Sequence, residues 1–246
     1  MGILDDVASA EDLLQSTYSD FSGNLRIATP MVLGLRYLSP ILTEFAAAPP
    51  DLRLDIRASD DFVNPLDERF DLIIRAGRIP DGAVVAKPLV PNRHVICASP
   101  AYLATHGVPH HPSELNTHNG LFYSLGQHQR FWSLPVDGEL HRFTILSRLS
   151  SDSGFQLLDA ARAGLGLAIL PTFLVADAIV ARELVTVLPA HAPTDSMISV
   201  IFKPSKRGSN KINALVELLK VRLGNPALWN MAIDDFAREE HVQPQR

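Results

Sequence analysis

Cysteine is almost absent. The 246 residues hold one, Cys97, so no internal disulfide can form and the fold must stand on burial and hydrogen bonding. A lone thiol beside Val95, Ile96 and Ala98 reads as a buried one in a reducing compartment. Positive charge is also short: Lys and Arg number 22 against 27 Asp and Glu, a formal net charge of -5. That excludes a phosphate-binding surface spread over the chain, because neutralising phosphates needs clustered cations. Any contact with nucleic acid has to be local or lie outside these residues. No apolar run reaches the roughly 20 residues that cross a bilayer, since the most apolar window, 163–176, is broken by Gly164, Gly166 and Pro171. The opening Met1-Gly2-Ile3-Leu4-Asp5-Asp6 lacks the basic flank and apolar stretch of a secretory leader. A cytoplasmic protein with no membrane partner is expected.

Signatures of catalysis are missing too. Gly164-Leu165-Gly166 has no third glycine and follows a helical stretch where a dinucleotide fingerprint follows a strand. There is no Gly-x-Ser-x-Gly elbow, and no His partner can be assigned to Cys97. His110-His111 lies between Pro109 and Pro112 without the further ligands a metal needs, and reads as exposed loop. The expectation is no enzyme, no cofactor and no metal.

What is present is hydrophobic periodicity: 46% of residues are hydrophobic, enough for one large domain or two lobes of roughly a hundred residues each. Leu25-Arg26-Ile27-Ala28 reads as a strand ending at Thr29-Pro30. Leu35, Leu38, Ile41, Leu42 and Phe45 then recur at helical spacing, with Pro40 demanding a helix start or a kink. Residues 52–57 alternate apolar and charged, as in a half-covered strand, whereas Leu72-Ile73-Ile74 is continuous, as in a buried parallel one. Val95-Ile96-Cys97 runs straight into a helix start, with Ser99 as N-cap, Pro100 at the first helical position and Gly107 as C-cap. Gly120-Leu121-Phe122-Tyr123 is a strand with Ser124 at its end. Asp137-Gly138 turns a hairpin, and Ser150-Ser151-Asp152-Ser153-Gly154 opens a helix that stops at Gly164. Leu167-Ala168-Ile169-Leu170 is a buried strand closed by Pro171, a short helix covers 173–180, and 197–202 is a strand. Ser209 caps a helix with Ile212, Leu215, Val216, Leu219 and Leu223 on one face. From Asn225 onward the tail is expected to be poorly anchored, apart from docking of Leu228, Trp229 and Phe236.

Strands alternating with helices are an open α/β pattern, in which ligands sit at the carboxyl ends of strands. Thr29, Asp60, Asp61, Arg75 and Gly77 fall at such ends. The helix start at Ser99 offers its first amides to a small anion or carbonyl, the alternative being a capped helix facing water. Arg75 either reaches an anionic ligand or pairs with Asp60 or Asp61. The elements form two α/β units, between which the chain crosses near Val95 and near Ile198.

Four phrases in register, Gly23-Asn24-Leu25-Arg26-Ile27, Phe70-Asp71-Leu72-Ile73-Ile74-Arg75-Ala76-Gly77, Ala98-Ser99-Pro100-Ala101-Tyr102-Leu103 and Ala161-Arg162-Ala163-Gly164-Leu165-Gly166-Leu167-Ala168-Ile169-Leu170-Pro171, resemble the effector-binding domain of LysR-type transcriptional regulators. The resemblance covers about residues 23–223. It implies a type 2 periplasmic-binding-protein-like fold, two Rossmann-like subdomains joined by two crossing strands, with a small-molecule effector in the cleft between them. It places subdomain I at 24–95 plus 196–223, subdomain II at 96–195 and a tail at 224–246. Residues 1–22 would be the remnant of a linker helix, the N-terminal winged helix-turn-helix of such regulators being missing. A homodimer or higher homo-oligomer is implied, touching DNA only through that missing module. Carried over singly, Thr29, Pro30 and Met31 match the first turn that faces the effector, Ser99 and Pro100 the helix start, and Ser151, Asp152 and Ser153 the loop before the Gly164-capped helix. Pro171 and Phe173 match an apolar wall, Ser124 joins the set by its position, and Tyr102 offers further apolar surface. An arginine at position 99 is expected to fill the cleft without unfolding the protein. The other reading is a free-standing solute-binding protein of the same fold.

Overall fold

The computed structural model describes residues 21–47, 49–61, 63–64, 66–79, 82–123, 131–193 and 196–242, with side chains through 238. The expected linker remnant lies outside the described residues except for its last two, and so does Ser124. The chain divides into two compact units, the first made of everything up to Pro91 with Met197–Ala227, the second of Asn92–Ser196 with Leu228–Arg246. It therefore passes from one unit to the other three times, after Pro91, Ser196 and Ala227. The sequence reading has two passages, near Val95 and near Ile198; the third arises because the chain from Leu228 onward groups with the second unit.

Strands are numbered along the chain. The first unit holds β1 (Gly23–Thr29), β2 (Leu52–Ala58), β3 (Leu72–Ala76), β4 (Val85–Pro91) and β12 (Met197–Phe202) in the order β2-β1-β3-β12-β4. β1 runs parallel to β2 and β3, and β12 antiparallel to β3 and β4. Burial follows position. Central β3 buries Leu72, Ile73 and Ile74 in succession, while edge strand β2 buries only Leu52. Asp71 ties this sheet together by accepting the Arg26 backbone N–H at 2.9 Å, the Arg26 guanidinium and the Lys206 ammonium at 3.1 Å. Burial alone would raise its carboxyl, but these hydrogen bonds hold it below the usual range.

Helix α1 has three parts, Met31–Leu33, a π turn at Gly34–Leu38, and Ser39–Ala47. Pro40 is the cause. It has no N–H, and in a straight α-helix its ring would strike the carbonyl of Arg36; the wider turn, in which Ser39 N–H reaches back to the Gly34 carbonyl, removes that clash. The extra residue also corrects the predicted apolar face: Leu38, Ile41, Leu42 and Phe45 are buried, but Leu35 is rotated off and 59% exposed. Helix α5 (Asn210–Leu223) is as predicted, with Ser209 Oγ accepting the Ile212 N–H and Ile212, Leu215, Val216, Leu219 and Leu223 all buried.

The second unit holds β5 (His94–Ala98), β6 (Asn119–Tyr123), β9 (Leu146–Ser151), β10 (Leu167–Pro171) and β11 (Val185–Val187) in the order β11-β5-β10-β6-β9. β7 (Phe131–Val136) and β8 (Glu139–Thr144) form a hairpin around Asp137 and Gly138, both at positive φ, the conformation an Asp-Gly turn favours. Trp132 and Leu134 of the hairpin pack into a core with Tyr102, Leu103, Leu115 and Phe122. The helices are α2 (Pro100–His106), α3 (Gly154–Arg162), α4 (Thr172–Val180) and, in place of a loose tail, α6 (Leu228–Val242). On α6, Trp229 meets Phe173 edge to face, Asn230 accepts the Thr172 hydroxyl at 2.7 Å and Asp234 pairs with Arg93 at 2.6 Å. Of the tail residues expected to dock, Trp229 is buried, Phe236 lies under the Arg182 guanidinium, and Leu228 is exposed.

Candidate functional site

Strand direction decides which predicted residues share an edge. In the first unit the carboxyl ends of β1, β2 and β3 lie together, since Thr29 pairs with Ala58 and Ala28 with Ile73. The same edge carries the end of β4 and the start of β12, through the pairing of Met197 with Pro91 and the bond from Gly77 N–H to the Met197 carbonyl. In the second unit β6, β9 and β10 are parallel, so Tyr123, Ser151 and Pro171 end on one edge. His94 lies opposite Pro171, and Thr172 N–H donates to the Arg93 carbonyl, which puts the entry of the chain on that edge as well.

Ser99 and Pro100 do not belong there. β5 runs antiparallel to β10, with Cys97 opposite Ala168, so Ser99 follows β5 at the edge where β10 begins. It is 3% exposed, its Oγ accepts the Tyr102 N–H, and a β-carbon at Gly164 would lie 3.4 Å from that oxygen. The predicted anion seat is therefore a buried cap, and an arginine at 99 would break the fold instead of filling a cleft. Tyr102 is likewise no apolar lining. It is buried, its Oη accepts the Asn119 N–H at 2.9 Å, and the same oxygen is hydrogen-bonded to His118 Nδ1 at 3.2 Å.

His118 is buried beside that hydroxyl. It is 3% exposed; burial lowers its pKa, His106 lowers it further, and Glu114 acts in the opposite direction. His94, whose Nδ1–H donates to the Asn92 carbonyl, is also lowered by burial. An unfolded chain binds protons at these rings below about pH 6.5, the folded one only at lower pH. Stability is therefore complete above that value and lost as pH falls from it through the folded-state pKa values. The melting temperature is expected to drop between pH 7 and pH 5. His118→Gln should remove up to about 1.4 kcal/mol per pH unit of that slope; a slope as steep as wild type would show that His118 does not contribute.

At the first-unit edge Thr29 is buried, its carbonyl accepting the Ser59 N–H and its hydroxyl covered by α1 at Gly34, where a β-carbon would overlap Oγ1. Thr29 shapes the turn, while half-buried Pro30 and exposed Met31 present their side chains. Arg75 Nε–H donates to the Arg78 carbonyl, Asp60 accepts the Met31 N–H, and Asp61 takes Arg57 and the Ser59 hydroxyl. At the second-unit edge Ser151 accepts the Ser153 N–H and donates to Gln156. Asp152 is exposed, and Ser153, at the N-cap position of α3, makes no capping bond with its side chain. Pro171 is half-buried, but Phe173 is only 5% exposed and packs on Trp229. It backs the wall and does not face it.

Sequence reasoning missed the polar joint at the first two passages. Asn92 N–H donates to the Ser196 carbonyl and its Nδ2 to Ser196 Oγ, which donates in turn to the Asn92 carbonyl. An Asn before a strand and a Ser before another carry no local sign of meeting. Cys97 is buried as expected, its thiol pushed up to about 12 by burial. Among the described residues no group of three His, Cys, Asp or Glu side chains can hold a metal, and no helix is long and apolar enough to cross a membrane.

The family described as the LysR substrate binding domain matches residues 19–224. An HTH-type transcriptional regulator of Haemophilus influenzae is 35% identical over 206 residues, 84% of this chain and 71% of the relative. The HTH-type transcriptional regulator CrgA of Neisseria meningitidis is 28% identical over 225 residues, 91% of this chain and 75% of the relative. The solved CrgA regulatory domain superposes with a TM-score of 0.69 at 25% identity, covering 83% of this chain and 100% of that one.

Proposed function

Because the chain belongs to the LysR substrate-binding domain family and is the effector-sensing domain of a transcriptional regulator of that family, we propose that a small metabolite is taken up at the two strand edges just described. The fold is the type 2 periplasmic-binding-protein-like one, and the free-standing solute carrier is set aside by relatives that are HTH-type regulators. In the first unit, Pro30 and Met31, on the turn shaped by Thr29, are the candidate contacts. In the second unit they are Ser151, Asp152, Ser153 and Pro171; Ser124 belongs to the same reading and lies outside the described residues. Sensing, not catalysis, is the role. Occupancy biases a conformational equilibrium, and the bias passes through a homodimer in the cytoplasm to DNA-binding modules of the kind the relatives' names carry.

One observation supports this reading above the others. In each unit the parallel strands end on the edge where the chain passes to the other unit, the place where open α/β sheets bind ligands. A melting screen against small acids, aromatics and amino acids tests it. A compound at a hundred times its Kd adds about 2.7 kcal/mol, which is about 5–10 °C for a chain of this size. Ser153→Arg is expected to abolish that rise and shift the basal melting temperature by no more than about 2 °C, since the Ser153 hydroxyl caps nothing. A rise that survives in the variant moves the site elsewhere, and a silent panel speaks against effector binding. The protein is expected to elute as a dimer in gel filtration.

A further inference from the structure

Asp60 stands at the turn assigned to the effector and already holds the amide an anion would seek. It is half-buried just past the end of β2, and its Oδ1 accepts the Met31 N–H, the first amide of α1, at 2.9 Å. Pro30, at the N-cap position, supplies no side-chain acceptor, so a carboxylate from a separate strand takes that place. The Ser59 N–H to Thr29 carbonyl bond, 3.0 Å, fixes Asp60 against the turn. Asp61 is turned onto Arg57 and Ser59. The second oxygen of Asp60 accepts nothing from a described residue and keeps its lone pairs for another donor.

A free helix end attracts a carboxylate or phosphate through its amides and dipole. With Asp60 seated on Met31, a second anion at the same amide meets like charge at contact distance and has to displace a carboxylate from the N–H it seeks. A donor instead meets an anionic acceptor that is already oriented.

We propose that Asp60 sets the chemical class of the effector, which presents an ammonium or another hydrogen-bond donor to this carboxylate and does not bring an anion to the start of α1. The inference rests on the effector reading of that edge. Three four-carbon probes differing only in end groups test it: butanedioate, 4-aminobutanoate and 1,4-diaminobutane, titrated at 150 mM salt while the Met31 amide is followed by 15N–1H NMR. The two ammonium probes are expected to move the Met31 amide saturably, the diamine at least fivefold more tightly than butanedioate. Asp60→Asn keeps an oxygen for the Met31 N–H and removes the charge. It should leave the melting temperature unchanged and reduce the preference for ammonium at least fivefold, which a purely structural cap would not do. The proposal is overturned if butanedioate moves the Met31 amide at lower concentration than the diamine, if no probe moves it, or if Asp60→Asn keeps the ammonium preference. Failure of the effector reading looks different: a silent metabolite panel, or hits indifferent to Ser153→Arg, neither of which depends on Asp60.

Discussion

Trp229→Ala is expected to destabilise the protein by about 4 kcal/mol, the range for emptying a buried aromatic site. Trp229 is 2% exposed and meets Phe173 edge to face with ring centroids 6.1 Å apart. The loss would reach further than one cavity. Trp229 shares α6 with Asn230 and Asp234, whose bonds to Thr172 and Arg93 depend on the helix staying docked. Those two partners sit where the chain enters the second unit and where β10 gives way to α4, so the second unit should loosen at its candidate edge. Urea unfolding measures the effect, and Trp229→Phe should recover most of it by keeping an aromatic edge against Phe173. A cost below about 1 kcal/mol for Trp229→Ala would mean that α6 contributes little to holding the second unit together.

That helix was the largest part of the fold the sequence hid. What docks α6 is Trp229 and Ile233, four residues apart, with Asn230 and Asp234 beside them reaching partners 58 and 141 residues away in sequence. A local apolar stripe of two residues is too thin to signal a helix face, and no pattern within the tail reveals that Arg93 and Thr172 await it. The strands were legible for the opposite reason: Leu72-Ile73-Ile74 and Leu167-Ala168-Ile169-Leu170 are central in their sheets, and burial on both faces writes itself as an unbroken apolar run. Caps at Ser99 and Ser209 were legible because they are local.

The site was harder. Val95-Ile96-Cys97 reads the same whichever way it points, yet its antiparallel pairing with β10 is what carries Ser99 to the edge away from Pro171. Asp60 was visible at a strand end, with Arg75 as one of the partners left open, because a carboxylate serving a helix start on another element has no signature in spacing. Residues were therefore assigned to the right strand ends more reliably than strand ends were assigned to a common edge.

Gly166→Ala, the addition of one methyl group, is expected to cost about 2 kcal/mol. A β-carbon at Gly166 would lie 2.5 Å from the Asn119 carbonyl oxygen and 3.0 Å from its carbon. These are backbone atoms at the start of β6, and they cannot swing aside as a side-chain end would. Leu167 pairs with Gly120 in the next register position, so relief requires β6 and β10 to separate where their ladder begins. Overpacking of this kind costs about 1–3 kcal/mol and at times more, against which the stiffer unfolded chain of the alanine variant returns about 0.4–1 kcal/mol. Gly164→Ala is the control. Gly164 has a φ of 76°, and a β-carbon there would make only ordinary van der Waals contact, with Ser99 Oγ nearest at 3.4 Å, so its cost is backbone strain alone, about 1 kcal/mol. The two variants should differ in a second respect. Asn119 also donates its N–H to Tyr102 Oη, which is hydrogen-bonded to His118 as well. Displacing Asn119 loosens the packing that keeps His118 buried, so Gly166→Ala should change the dependence of stability on pH between 7 and 5, whereas Gly164→Ala should shift the curve without changing its shape. Equal costs for the two substitutions, measured by urea unfolding at both pH values, would show that the close approach of β10 to Asn119 is not what glycine serves at position 166.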